Sequence, residues 1–132
     1  MTNVQIPMTN DQSKTTKKYD LEERTAKFGE QVVLFARKLP ANPVNVPLIS
    51  QIVRSATSVG ANYVEADDAH TKKEFLMKIS TCKKEAKETK HWLRMIVTAE
   101  PQTKEAARPL WQEAKELQLI FAAIYRNGKE NS

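Results

Sequence analysis

Four basic residues, Lys83, Lys87, Lys90 and Arg94, recur at steps of four, three and four along the 132-residue chain. At helical spacing they fall on one stripe, and a linear array of cations can follow a phosphate backbone and release its condensed counterions. Lys72, Lys73, Lys78 and Lys84 add charge to the same segment. Lys83, Lys87, Lys90 and Arg94, with Lys72 and Lys84 beside them, are therefore the candidate nucleic-acid contacts. The plainer alternative is a solvated helix face, softened by Glu85 and Glu88. No aromatic residue is interleaved with the stripe, so the pattern supports contact by charge and shape, and gives no support to stacking on bases.

Other chemistry is sparse. The chain lacks a Gly-rich phosphate loop, a His-Glu-x-x-His pair, a Cys-x-x-Cys and a nucleophile elbow, which predicts a non-enzyme without catalytic residues, metal or cofactor. His70 falls in a polar turn and His91 one helical turn from Glu88, and both read as surface residues. Cys82, the one cysteine, falls on an apolar seam and reads as a buried thiol acting as a small hydrophobe. It excludes an intramolecular disulfide and a cysteine zinc cluster, and it fits a reducing compartment. Glu65, Asp67 and Asp68 read as an acidic helix end, because helical di-iron sites need inward Glu-x-x-His pairs and none is present.

The elements that must position these residues are helical. Leu21, Thr25, Phe28, Val32, Phe35 and Leu39 recur at steps of four and three, which predicts an amphipathic helix from Asp20 that stops at Pro40. A second helix is expected from Pro47 to Asp68, with Ile49, Ile52, Ala56, Val59, Gly60 and Tyr63 on its core seam. Beside that seam runs a stripe of small and polar residues, Gln51, Ser55, Ser58, Asn62 and Glu65, flanked by Arg54. Such a stripe suits close approach by another helix. Thr71 and Glu74 form a capping box for a third helix over Lys72 to Ala99, with a seam of Phe75, Ile79, Cys82, Ala86, Thr89, Leu93 and Ile96. Pro101 ends it, and Thr103 opens a fourth helix on Leu110, Ala114, Leu117, Phe121 and Ile124, stopped by Asn127-Gly128. Pro109 either kinks this helix or marks its true beginning. Trp92 and Trp111 lie off the core seams, and two readings stand for them: packing at the edge of the core, or a subunit interface.

Short links make sequential helices antiparallel neighbours, so the expected fold is all-α, an up-down-up-down four-helix bundle. Residues 1–18 read as a disordered polar tail, 19–127 as the bundle and 128–132 as a C-terminal tail. Lys and Arg number 21 against 16 Asp and Glu, a formal charge of +5 and a pI of about 9.4, which favours a polyanionic partner. There is no signal-like apolar core near the start and no apolar run near the ~20 residues that span a bilayer. A cytoplasmic, soluble protein without a membrane partner is expected.

Ile52-Val-Arg-Ser-Ala-Thr-Ser-Val-Gly-Ala-Asn-Tyr-Val-Glu-Ala66, Lys73-Glu-Phe-Leu-Met-Lys-Ile79 and Lys83-Lys-Glu-Ala-Lys-Glu-Thr-Lys-His-Trp-Leu93 together resemble the bacterial four-helix bundle family, also called the S23 ribosomal protein or 23S rRNA intervening-sequence protein family. Tyr19-Asp-Leu-Glu-Glu-Arg24 fits the family's first helix, and the resemblance spans residues 19–126. The polar N-terminal tail and Pro109 depart from the pattern. The resemblance implies a left-handed bundle assembled as a ring-shaped homo-oligomer, with a homopentamer favoured. A related accessory protein of diversity-generating retroelements implies nucleic-acid binding, RNA or DNA, and work beside a reverse transcriptase. The family motif matches Arg54, Ser55, Ser58, Gly60, Asn62 and Glu65 on the second helix and Lys83, Glu85, Glu88 and Trp92 on the third, for which it implies packing, assembly or ligand contact. The two functions to be weighed are a nucleic-acid-binding accessory protein and a protein-interaction scaffold whose charge only aids solubility.

Overall fold

The computed structural model describes residues 17–131, and the expected tail at 1–16 lies outside them. Helices α1 (Lys17–Ala36), α2 (Asn45–Asp67), α3 (Lys72–Ala99) and α4 (Lys104–Glu130) follow in order, with a 3-10 turn at Pro101–Thr103. Lys17 and Lys18 are thus the start of α1 and not part of the tail. Each helix packs on its neighbours in sequence, and α1 meets α4 to close an antiparallel bundle. α3, at 28 residues, is about 42 Å long at 1.5 Å per residue.

The seams converge as their spacing predicts. Phe28, Val32, Ile52, Val59, Ile79, Leu93, Ile96, Leu117 and Phe121 are fully buried. Each contributes about 1.5–3 kcal/mol by leaving water. The seam ends differ: Leu76 is buried where Phe75 is only half-buried, and Ile49 and Ile124 pack at the margin of the core. Closure between α1 and α4 is polar. Arg24 donates to both oxygens of Glu113, from Nε at 2.7 Å and Nη2 at 2.9 Å, and Nη2 also reaches Glu116 at 2.9 Å. The hydrogen bond to Glu113 is the largest of the effects that hold this guanidinium in its charged form.

α1 ends at Ala36, ahead of the expected stop at Pro40, and at α2 and α4 the expectations change for local reasons. α2 starts at Asn45, ahead of Pro47, because Asn42 Oδ1 accepts from the Val44 and Asn45 amides at 3.1 and 2.8 Å and satisfies two donors of the first turn. Pro47 then sits among first-turn residues whose amides need no helical partner, so it does no harm. Asn45 is itself buried, and its Nδ2 donates to the Pro40 carbonyl and to Glu100, tying the start of α2 to the end of α3. α4 runs unbroken through Pro109, which neither begins nor ends it; the ring removes only the bond to the Glu105 carbonyl. α4 also runs past Asn127-Gly128 to Glu130, so the predicted stop is wrong. A Cβ on Gly128 would lie 2.6 Å from Leu76 Cδ2, and glycine serves there to let α3 approach.

Candidate nucleic-acid interface

The sequence of α3 puts different chemistry on its two flanks. Facing α2, Arg54 donates from Nη1 to Glu85 at 3.1 Å, from Nη2 to Glu88, and from Nε to Gln51 at 3.1 Å. Lys78 pairs with Glu65 at 2.7 Å, which helps hold the ammonium charged. Ser55 is fully buried, and its hydroxyl lies 2.8 Å from that of Thr89. Asn62, half-buried, donates to the Ser58 carbonyl of its own helix at 2.9 Å. The small, polar stripe of α2 therefore has its partner within the chain: it packs against α3. Arg54, Ser55, Glu65, Glu85 and Glu88 engage one another or α3 across this seam.

Trp92 belongs to the same flank. It packs on the core, edge-on to His91 with ring centroids 5.0 Å apart, and its Nε1 is buried without a partner. Packing at the edge of the core is thus its role within the chain, and an exposed contact patch at Trp92 is not what the fold presents. Exposed large hydrophobics occur on every helix, and three of them, Val33, Leu34 and Val64, lie together on α1 and α2. They rim a largely apolar groove of about 650 Å³ whose floor includes Gly29 and Gly60.

The other flank of α3 faces α4 and solvent and carries the basic stripe. Among the described residues, Lys83, Lys84, Lys87, Lys90 and Arg94 make no ion pair with a carboxylate. Of the acids beside the stripe, Glu85 and Glu88 both pair with Arg54, and Glu88 still borders the basic recess. Lys83 lies 5.8 Å over the ring of Tyr125, and Lys90 lies 5.1 Å over that of Trp111, which Lys115 also approaches at 5.7 Å. Lys84, Lys87, Lys90, Arg94, Glu88, His91 and Trp111 line an open recess of about 440 Å³. Lys72 and Lys73 line a second recess, of about 520 Å³, with Tyr125 and Lys129. From Lys72 to Arg94 the basic flank extends about 33 Å.

The residue that sequence reasoning missed here is Trp111. It comes from α4, so no pattern local to α3 contains it. The signal was the turn: Lys90 lies 11 residues before Pro101 and Trp111 lies 10 after it, so an antiparallel hairpin sets them opposite.

Cys82 is fully buried; its thiol donates to the Val59 carbonyl at 3.5 Å, and burial pushes its pKa up to about 12. Among the described residues no group of three or more His, Cys, Asp or Glu is placed to hold a metal ion. No helix among them is long and apolar enough to cross a membrane.

No curated protein matches the sequence. Among solved structures, the chain is similar to a protein of unknown function from the S23 ribosomal protein family of Bacteroides thetaiotaomicron VPI-5482, determined at 1.70 Å. The two are 27% identical with a TM-score of 0.76, over 84% of this chain and 99% of that one. Residues 17–123, which include all of α1, α2 and α3 and most of α4, match the model of the 23S rRNA-intervening sequence protein family. With this fold and this span of match, the chain belongs to the 23S rRNA-intervening sequence protein family.

Proposed function

We propose that the protein is a non-enzymatic, oligomeric nucleic-acid-binding accessory protein of the cytoplasm, whose α3 flank contacts the phosphate backbone. One observation carries this reading: the five cations Lys83, Lys84, Lys87, Lys90 and Arg94 have no acidic ion-pair partner among the described residues, while Glu85 and Glu88 of the same helix pair with Arg54. Uncompensated charge on a rigid helix binds a polyanion by counterion release at little conformational cost. A reverse transcriptase is the proposed protein partner, on the likeness to the retroelement accessory protein.

The test is affinity for RNA and DNA across a salt series. Log affinity is expected to fall steeply with log salt, and exchange of Lys83, Lys87, Lys90 and Arg94 for Gln is expected to reduce that slope by roughly three to four. Absence of binding at low salt, or a slope unchanged in the variant, overturns the reading.

A second reading, a protein-interaction scaffold, is favoured by the α1–α2 groove. Its apolar rim of Val33, Leu34 and Val64 suits a second copy of the chain, and a homopentamer is the assembly the family resemblance favours. Assembly through the groove is compatible with the first reading, since groove and stripe use different helices; what separates the two readings is whether the charge of the stripe binds nucleic acid or only aids solubility.

A further inference from the structure

We infer that Trp111 is a stacking platform for an unpaired base, so that the ligand of the basic flank is single-stranded nucleic acid. The inference rests on the proposed function and adds which form of nucleic acid is taken. Trp111 is 39% exposed although it stands at an inter-helix recess, where an indole would ordinarily be covered. Around it are Lys84, Lys87, Lys90 and Arg94 from α3 and Lys115 from α4, so one accessible aromatic ring stands amid five cations, with His91 and a single carboxylate, Glu88, which is paired with Arg54. That is the composition of a single-strand site, in which the backbone tracks the charge and a base lies on the ring.

The lysines over the ring show how the site works before ligand arrives. Lys90 and Lys115 rest against the indole by cation–π attraction, at 5.1 and 5.7 Å from its centroid. An incoming base takes the place of an ammonium on the ring, and the displaced lysine is then free to meet the adjoining phosphate. A duplex cannot make this exchange, because the faces of its bases are already stacked on one another and only their edges and the phosphates are accessible. Trp92 cannot substitute, since it is packed against the core with its Nε1 buried. Tyr125 beneath Lys83, on the same flank toward the other end of α3, is half-buried and less available.

The experiment compares a short oligo(dT), a short oligo(U) and duplex DNA of equal length against the full chain, reading affinity and tryptophan fluorescence. Wild type is expected to bind the single strands more tightly than the duplex and to show quenching by them. Trp111→Ala is expected to lose roughly 5- to 100-fold in single-strand affinity with duplex affinity and salt slope kept, and Trp111→Phe to retain most of it. Circular dichroism and a thermal melt establish that each variant is folded, as the exposure of the ring predicts. Single-strand binding by Trp111→Ala as tight as wild type overturns the stacking inference and leaves the proposed function standing. Failure of wild type to bind any of the three at low salt overturns the proposed function, and the inference with it. The oligo(dT) and oligo(U) arms separate DNA from RNA.

Discussion

Cys82 illustrates what one buried side chain contributes to this fold. Its thiol fills a gap between α2 and α3 and bonds the Val59 carbonyl, in a place where a thiolate would be unsolvated. Burial raises its pKa to about 12, so the folded state holds the proton after the unfolded chain, at roughly 8.5, has released it. The unfolded state therefore binds fewer protons above that pH. The contribution of this thiol to stability is fully present below about pH 8.5 and is lost as pH rises toward 12. Tyr63, also raised to about 12, chiefly by burial, acts in the same direction. Cys82→Ala removes the thiol's share: it is expected to cost roughly 1 kcal/mol near neutral pH, from lost packing, and less at about pH 10. Denaturant unfolding of both proteins at the two pH values checks this, and a constant difference refutes it. Thiol reagents are expected to modify Cys82 only as fast as the chain unfolds.

At the scale of elements, α2 packs against α1 on one side and α3 on the other. The contacts with α1 are made through glycine on both helices, and the two glycines differ. A Cβ on Gly29 would lie 3.5 Å from Thr57 Cα, an ordinary contact, so Gly29→Ala is expected to stabilise by about 0.5–1 kcal/mol through helix propensity. A Cβ on Gly60 would lie 3.3 Å from Thr25 Oγ1, whose hydroxyl is held by its bond to the Leu21 carbonyl at 2.8 Å. Gly60→Ala is therefore expected to gain nothing or to lose stability, and thermal melts of the two variants separate the cases. The helices themselves were legible, since steps of three and four locate a seam whatever it packs against. What spacing does not carry is the partner of a second stripe. Ser55 and Glu65 present the same pattern to a neighbouring helix of the same chain as to another subunit, and only the bundle's order assigns them to α3. Gly128 misled for a related reason: glycine reads as a helix stop, whereas here it makes room for Leu76 from α3. Trp111 escaped because its neighbours on the basic stripe are set by the hairpin; only Lys115 comes from its own helix.

For the whole molecule, the cyclic order of the helices sets the α1–α2 edge opposite the α3–α4 edge. Arg24, bridging to Glu113 and Glu116, fixes α1 against α4 and so holds that order. The apolar groove and the basic recess then lie on opposite sides. Copies joined through the groove would leave every basic flank free, and a strand of nucleic acid could engage several at once, with affinity raised by effective concentration and not by new contacts. Exchange of Leu34 and Val64 for Gln tests this without altering the charge of +5. Both residues are 51% exposed, so the single chain is expected to keep its fold and its thermal midpoint within a few degrees. Light scattering is expected to give a multiple of 15.0 kDa for wild type and a value closer to one chain for the variant. Affinity for long single strands is expected to fall by roughly ten-fold or more in the variant, while affinity for an oligonucleotide that covers a single flank is unchanged. A wild-type mass of one chain removes the assembly from the proposal. Equal losses for long and short strands place the groove residues in the binding surface itself, against the opposite-sides geometry.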